Sequence, residues 1–373
     1  MRDKRSAGRS SRKEHILALV LLSLLLWLNP ACEVTAQTAA IPATVDVSAM
    51  GSATYSIPVE VVPGTGGMQP NLAIVYNSLG GNGQLGTKWS LQGLSAITRT
   101  IPDRYLDGYM NPITFNASDR YTLDGKRLIL LDGVNYHNGT ALYCFENDDL
   151  SRIQLAYHGD GTGFECITAD GSIIEYGCTA NARLTVGNAV MSWMVNRVTD
   201  AEGNSMTFTY SQSNGEIWIE RIDYTYNENA LLLTPYASVE FSYGMLQHPG
   251  DMYVSGRTFR QSRLLKDIAV QYQGNQVRRY HLGYVQNGFT AHLDTVTLLN
   301  ANDESLSTTR IIWESPSEFT SDADNSAVPG GYTAVAGNFN GDRLYDVFAV
   351  DRATSDPETF RLLSRKPTEA TRI

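Results

Sequence analysis

Long stretches of the chain alternate apolar and polar residues with a period of two. In Ser205–Tyr210, Met206, Phe208 and Tyr210 fall on one face and Ser205, Thr207 and Thr209 on the other. Ala237, Val239, Phe241 and Tyr243 alternate with Ser238, Glu240 and Ser242, and Ile222, Tyr224 and Tyr226 repeat the pattern, as do Tyr280, Leu282 and Tyr284. This period belongs to half-buried antiparallel strands. Turn pairs separate the runs: Asp124-Gly125, Asp132-Gly133, Asn138-Gly139, Asp160-Gly161, Asp170-Gly171 and Asn214-Gly215. No long amphipathic helix stands out beyond residue 36, and residues 148–157 fit either a helix or a strand. The pattern predicts an all-β chain of long antiparallel sheets.

The first 36 residues differ. Arg2, Lys4, Arg5, Arg9, Arg12 and Lys13 make a basic head, Ile16 to Leu28 an apolar run, and Val34-Thr35-Ala36 a small-residue cut before Gln37. These are the three parts of a secretory signal peptide, so residues 1–36 are expected to be removed on export. A cut before Cys32, giving a lipoprotein, is the alternative; Ala31 fits it and Asn29 does not. The run is short for a transmembrane helix and no longer one follows, so no membrane span is expected.

Composition sharpens the picture. Tyr 20 and Gly 32 against 18% charged residues suit strands and turns. Removing the leader takes away six basic and three acidic residues, turning a net charge of −10 into −13. Such a chain is a poor partner for a phosphate backbone, and no nucleic acid is expected.

Three cysteines remain beyond the leader: Cys144, Cys166 and Cys178. A two-residue loop at Asp170-Gly171 would pair Cys166 with Glu175 and put Cys178 on the other face, against a bridge within that hairpin. Buried thiols are the reading taken, with a bridge from Cys144 to either of the others left open.

Candidate chemistry is sparse. No metalloprotease, nucleophile-elbow, phosphate-loop or Cys-x-x-Cys motif is present. Gly81-Asn82-Gly83-Gln84-Leu85-Gly86 matches a dinucleotide fingerprint, but turn and strand residues follow where a helix N-terminus should hold the pyrophosphate. Its glycines read as sharp turns or close backbone approaches. Glu216 and Glu220 flank Trp218 like a carboxylate pair, but a solvated strand face is the simpler reading. His137 and His158 read as solvated loop residues beside turns.

One segment suggests a cation. Asn338, Asn340, Asp342 and Asp346 present oxygens at positions 1, 3, 5 and 9 of a loop, with the Leu344 carbonyl at position 7. Asn338 replaces the usual Asp, and Arg343 stands where glycine is usual. Weak Ca²⁺ binding, or a metal-free turn of the same shape, is expected; no other cofactor is.

Several blocks carry a family resemblance. They are Gly51-Ser-Ala-Thr-Tyr-Ser-Ile-Pro58, then Val62-Pro-Gly-Thr-Gly-Gly-Met-Gln-Pro-Asn-Leu72, and the stretch from Gly86 through Trp89 to Arg99. Asp119-Arg-Tyr-Thr-Leu-Asp-Gly-Lys-Arg-Leu128, Asp200-Ala-Glu-Gly-Asn204 and Arg278-Arg-Tyr-His-Leu-Gly-Tyr284 agree with them. From about residue 45 to 313 the chain resembles the SpvB-type N-terminal domain, found in the Salmonella virulence plasmid B protein and the B components of Tc insecticidal toxins. The family favours a second glycine at Thr87-Lys88. Ser315–Gly331, rich in Ser, Asp, Pro and Gly, reads as a linker, giving domains at 45–313, 314–331 and 332–373. Residues 332–350 resemble one FG-GAP or VCBS-type propeller repeat.

The resemblance implies a non-enzymatic structural module of an exported toxin-delivery or RHS-type surface protein, ending before the RHS and toxin regions. Other subunits, or downstream RHS and toxin segments, would be its partners. The family's transferase activity lies in a separate domain whose motifs are absent. A secreted, adhesin-like module binding glycan or protein is the second reading.

Overall fold

The computed structural model describes residues 41–313, except 134–135, 138, 140, 147–150, 159–160, 228, 231–233 and 288–289, together with 332–337, 346–351 and 360–363. The chain divides between Ile311 and Ile312 into two compact units.

The first unit begins with a small antiparallel sheet. Its strands are β1 (Thr44–Val47), β2 (Ala53–Val59) and β3 (Leu72–Asn77); after the two-residue pair β4 (Asn82–Gly83) and β5 (Gly86–Thr87) comes β6 (Trp89–Gln92), in the order β1-β2-β3-β6. Val45, Tyr55, Tyr76 and Trp89 stand opposite one another across the four strands. Ile57, Leu72, Ile74 and Trp89 are buried.

Next come β7 (Ala96–Thr100), a four-residue helix α1 (Arg104–Asp107), β8 (Arg120–Leu123), β9 (Lys126–Asp132), β10 (Leu142–Phe145), β11 (Arg152–His158), β12 (Gly161–Ile167), β13 (Ile173–Tyr176), β14 (Arg183–Val186) and β15 (Ala189–Thr199). Within the ambiguous 148–157 stretch, residues 152–157 are strand, and 148–150 lie outside the described residues. From β7 to β13 each strand pairs with the next in sequence, and β15 pairs with β7 on one side and β13 on the other. Gly177 N–H donates to Met194 O at 2.8 Å while Val195 N–H donates to Ser95 O at 3.0 Å, and the O and N–H of one peptide point opposite ways. Eight strands therefore close into a barrel, a size at which side chains fill the interior. Tyr121, Tyr143, Phe164 and Trp193 occupy it, each at most 2% exposed. Tyr121 meets Phe164 and Trp193 edge-on at 5.0 and 5.4 Å. Strand periodicity alone does not predict such a closure.

Beyond its barrel segment, β15 pairs with β16 (Asn204–Ser213) and opens into a meander. The meander continues through β17 (Glu216–Asn227), β18 (Ala237–Val254), β19 (Arg257–Tyr272), β20 (Asn275–Asn287), β21 (Thr290–Leu299) and β22 (Ser305–Arg310). These are the expected long strands; β18 alone spans 18 residues. Phe208, Tyr210, Val239, Phe241, Tyr280 and Leu282, placed on apolar faces by periodicity, are buried.

Turn chemistry sets the register. Asp124-Gly125 and Asn214-Gly215 have positive φ at both residues and join directly paired strands, as type I′ turns do. Ser255-Gly256 and Gln273-Gly274 do the same without an Asx residue. Asp170-Gly171 departs from expectation. Thr168 N–H donates to Ser172 O at 3.0 Å, so the loop holds three residues and Cys166 pairs with Ile174, not Glu175.

In the second unit, β23 (Tyr332–Gly337), β24 (Asp346–Asp351) and β25 (Phe360–Leu363) form an antiparallel sheet in that order. The expected linker, 314–331, lies outside the described residues.

Candidate functional site

The expected cation loop falls largely outside the described residues: Asn338, Asn340, Asp342 and Leu344 are not among them. Asp346 opens β24, with its backbone opposite Gly337. Among the described residues, no group of three or more His, Cys, Asp or Glu is placed to hold a metal. Three buried polar clusters among the described residues hold candidate groups for chemistry, all in the first unit.

The first lies against the aromatic core of the barrel. Asp119 is fully buried and accepts from Arg99 Nη1 at 3.1 Å and from Thr114 N–H at 2.8 Å. The Arg99 guanidinium also faces the Tyr121 and Trp193 rings at 5.7 and 5.4 Å. His137 Nδ1 lies 2.9 Å from the Tyr121 hydroxyl and Nε2 lies 3.2 Å from the Asp119 carbonyl. A carbonyl only accepts, so the network assigns the proton to Nε2 and leaves Nδ1 to accept from Tyr121. Burial lowers the His137 pKa; the Asp119 carbonyl opposes this, and the Arg99 and Arg120 cations reinforce it. His137 is thus a half-buried, doubly bonded imidazole rather than the solvated loop residue expected. The side chain of His158 lies outside the described residues.

Beside it, Asp107 accepts from Arg120 Nε at 2.7 Å, Arg127 Nη2 at 2.6 Å and the Asp103 N–H at 2.7 Å. Burial raises the Asp107 pKa, but these partners outweigh it and hold the carboxyl below its usual range. With Asp107 clamped in this way, the α1 loop is tied to β8 and β9.

The second cluster centres on Glu216, which is 4% exposed. Its Oε1 accepts from the N–H groups of Ser262 and Arg263 at 2.8 and 3.1 Å, and its Oε2 from Ser262 Oγ and Arg263 Nη1 at 2.5 and 2.8 Å. Arg263 stacks on Trp218 at 3.6 Å. The expectation of a solvated Glu216–Glu220 face is therefore half wrong: Glu220 is exposed, whereas Glu216 anchors the β16–β17 turn to β19.

The third cluster has the residue types of a hydrolytic triad in the wrong order. Ser242 Oγ donates to Asp267 Oδ2 at 2.7 Å, and His281 Nδ1 meets Asp267 Oδ1 at 2.7 Å. Register places these three opposite one another on β18, β19 and β20. Burial raises the Asp267 pKa, yet the His281 and Ser242 hydrogen bonds overcome it and hold the carboxylate ionised. Nucleophilic catalysis requires the imidazole to take the serine proton. Here the carboxylate takes both contacts, so the arrangement ties three strands together.

The glycine motif behaves as read. Asn82-Gly83 and Gly86-Thr87 pair as a short hairpin, and β6 follows instead of a helix. Gly86 has φ +82°, and a Cβ there would lie 2.5 Å from the Ala291 carbonyl oxygen. Lys88 also adopts a positive φ, 66°. Cys144, Cys166 and Cys178 form no disulfide among the described residues; Cys166 and Cys178 are buried and Cys144 is half-buried. Burial, with the Glu175 charge, pushes the Cys178 thiol up to about 12.

Residues 47–137 match the family model described as Salmonella virulence plasmid 65kDa B protein. No curated protein matches the chain. Among solved structures, TcdB2-TccC3 aligns with 83% of this chain at 14% identity and a TM-score of 0.63, using 19% of its own length. The N-terminal domain of the effector SpvB from Salmonella typhimurium strain LT2 aligns over 99% of its length and 65% of this chain, at 17% identity and a TM-score of 0.52. A Tc holotoxin pore from Photorhabdus luminescens aligns over 89% of this chain and 20% of its own, at 14% identity and a TM-score of 0.61. The chain thus spans about a fifth of the TcdB2-TccC3 chain it matches. At these identities the likeness establishes the fold.

Sequence reasoning missed the barrel cluster. Its signal was present: Asp119, Arg120 and Arg127 all belong to the Asp119–Leu128 block that carries the resemblance.

Proposed function

We propose that this chain is a non-enzymatic structural module of an exported toxin-delivery or RHS-type surface protein. One observation carries the reading. Nearly the whole SpvB N-terminal domain, 99% of it, superposes on this chain, and the same fold recurs as a fifth of the TcdB2-TccC3 chain. A domain that recurs as one part of two different larger proteins behaves as a building block. The polar clusters support the absence of catalysis, since their hydrogen bonds are made to one another. The basic and apolar leader supports export, and the Asx-rich loop at 338–346 supports a propeller-type repeat at the C-terminal end. Partners would be other toxin subunits or RHS segments.

The test is assembly. The chain from residue 37 onward is mixed with purified Tc-type toxin subunits and run on a sizing column. A stoichiometric complex at micromolar concentration is the expected result. Absence of any complex, or turnover of ester, glycoside or phosphate substrates that His281→Ala abolishes, would overturn the reading.

A further inference from the structure

Two cavities meet at one ion pair. The larger, about 380 Å³, lies among Val59, Val61, Gln69, Pro70 and Asn71. The smaller, about 180 Å³, has Val277, Leu298 and Leu306 on its apolar side. Glu60 and Arg278 line both and are paired with each other. The larger is lined mainly by polar surface and the smaller by polar and apolar surface alike, with Glu60 and Arg278 as the charged groups of both.

The two charges are held differently. Arg278 projects from β20, which is paired to β19 on one side and β21 on the other. Its side chain is 32% exposed. Glu60 lies just past the end of β2, and its side chain is 53% exposed. The Glu60 backbone is fixed, since its N–H donates to the Tyr280 hydroxyl at 3.0 Å, but its carboxylate reaches out from the rim. The guanidinium is therefore the stationary member and the carboxylate the displaceable one. Val61, beside them, lies outside every strand, and its main-chain N–H and C=O find no hydrogen-bond partner among the described residues. Unpaired main chain beside such a recess is what an added strand requires.

We propose that this groove binds an extended acidic peptide, whose carboxylate replaces that of Glu60 on Arg278 while its main chain pairs with Val61. Arg is suited to the role because its planar fork takes a carboxylate through two hydrogen bonds. Glu60 then acts as an internal stand-in for the ligand and keeps the groove shut against weak competitors. The site is independent of the assembly reading above, because it requires no subunit partner.

The test uses the whole chain and dye-labelled acetyl peptides of alternating Val and Thr, followed by fluorescence polarisation. One peptide ends in an amidated Glu, a second in Gln with a free terminus, and a third in amidated Gln. Binding of the first or second, but not the third, is expected and tells side-chain from terminal carboxylate. Arg278→Gln should weaken binding about tenfold or more. Glu60→Gln, at an exposed position, should strengthen it about threefold or more by freeing the guanidinium, with an unchanged circular dichroism spectrum as the check on folding. Equal binding of all three peptides, no saturation at about 1 mM, or no gain with Glu60→Gln would overturn the proposal.

Discussion

Glu216→Gln tests the buried anchor directly. The wild-type carboxylate is 4% exposed and accepts four hydrogen bonds, two on each oxygen. Glutamine keeps the shape but carries one acceptor oxygen. Turned toward the Ser262 and Arg263 N–H groups, it presents its NH₂ to Arg263 Nη1, donor against donor. Arg263 keeps its stacking on Trp218 and remains 24% exposed, so water recovers part of the loss. A charge-assisted hydrogen bond lost at a partly solvated site corresponds to about 2 kcal/mol. Glu216→Ala goes further and leaves two main-chain donors unpaired, for about 3–5 kcal/mol. Urea denaturation followed by tryptophan fluorescence reads both, with Glu220→Ala as the exposed control, expected within about 0.5 kcal/mol of wild type. If Glu216→Gln falls within that same margin, the anchor contributes nothing and the argument fails.

Gly86→Ala should destabilise by about 2 kcal/mol or more in the same assay, because its φ is +82° and the new Cβ meets the Ala291 carbonyl oxygen at 2.5 Å; Lys88→Gly, which relieves a positive φ of 66°, should be neutral or stabilising. The His137 pKa is lowered on folding, so its contribution is full above about pH 6.5 and is lost as pH falls through the window below, where the unfolded chain binds the extra proton. His137→Gln should flatten that part of the stability–pH curve, and an unchanged slope would remove His137 as its cause. Calorimetric titration of Ca²⁺ should show weak binding or none; micromolar binding abolished by Asp342→Ala or Asp346→Ala would contradict the reading of the 338–346 loop. Mass spectrometry of the exported protein should find Gln37 as the first residue, whereas an intact Met1 would refute the leader.

Strand type, length and inward face were legible in the chain because they depend on nearest neighbours: Phe208 and Tyr210, or Val239 and Phe241, differ from their polar neighbours by a single step. Asp124-Gly125 and Asn214-Gly215 were legible for the same reason, since Asx and Gly tolerate positive φ wherever they stand. Ser255-Gly256 and Gln273-Gly274 were not, because Ser255 and Gln273 enter that region only when the paired strands on either side hold them there. Barrel closure was hidden altogether. A strand in a closed barrel and one in an open sheet alternate alike, and only the pairing of β15 with both β7 and β13 distinguishes them. The same holds for Glu216. Its local surroundings read as a solvated strand start, and its burial is decided by Ser262 and Arg263, more than forty residues away in sequence. Local alternation and turn residues therefore determined the all-β class. Tertiary structure decided which polar side chains became internal ties, because burial of a charge depends on partners brought together only when distant strands pair.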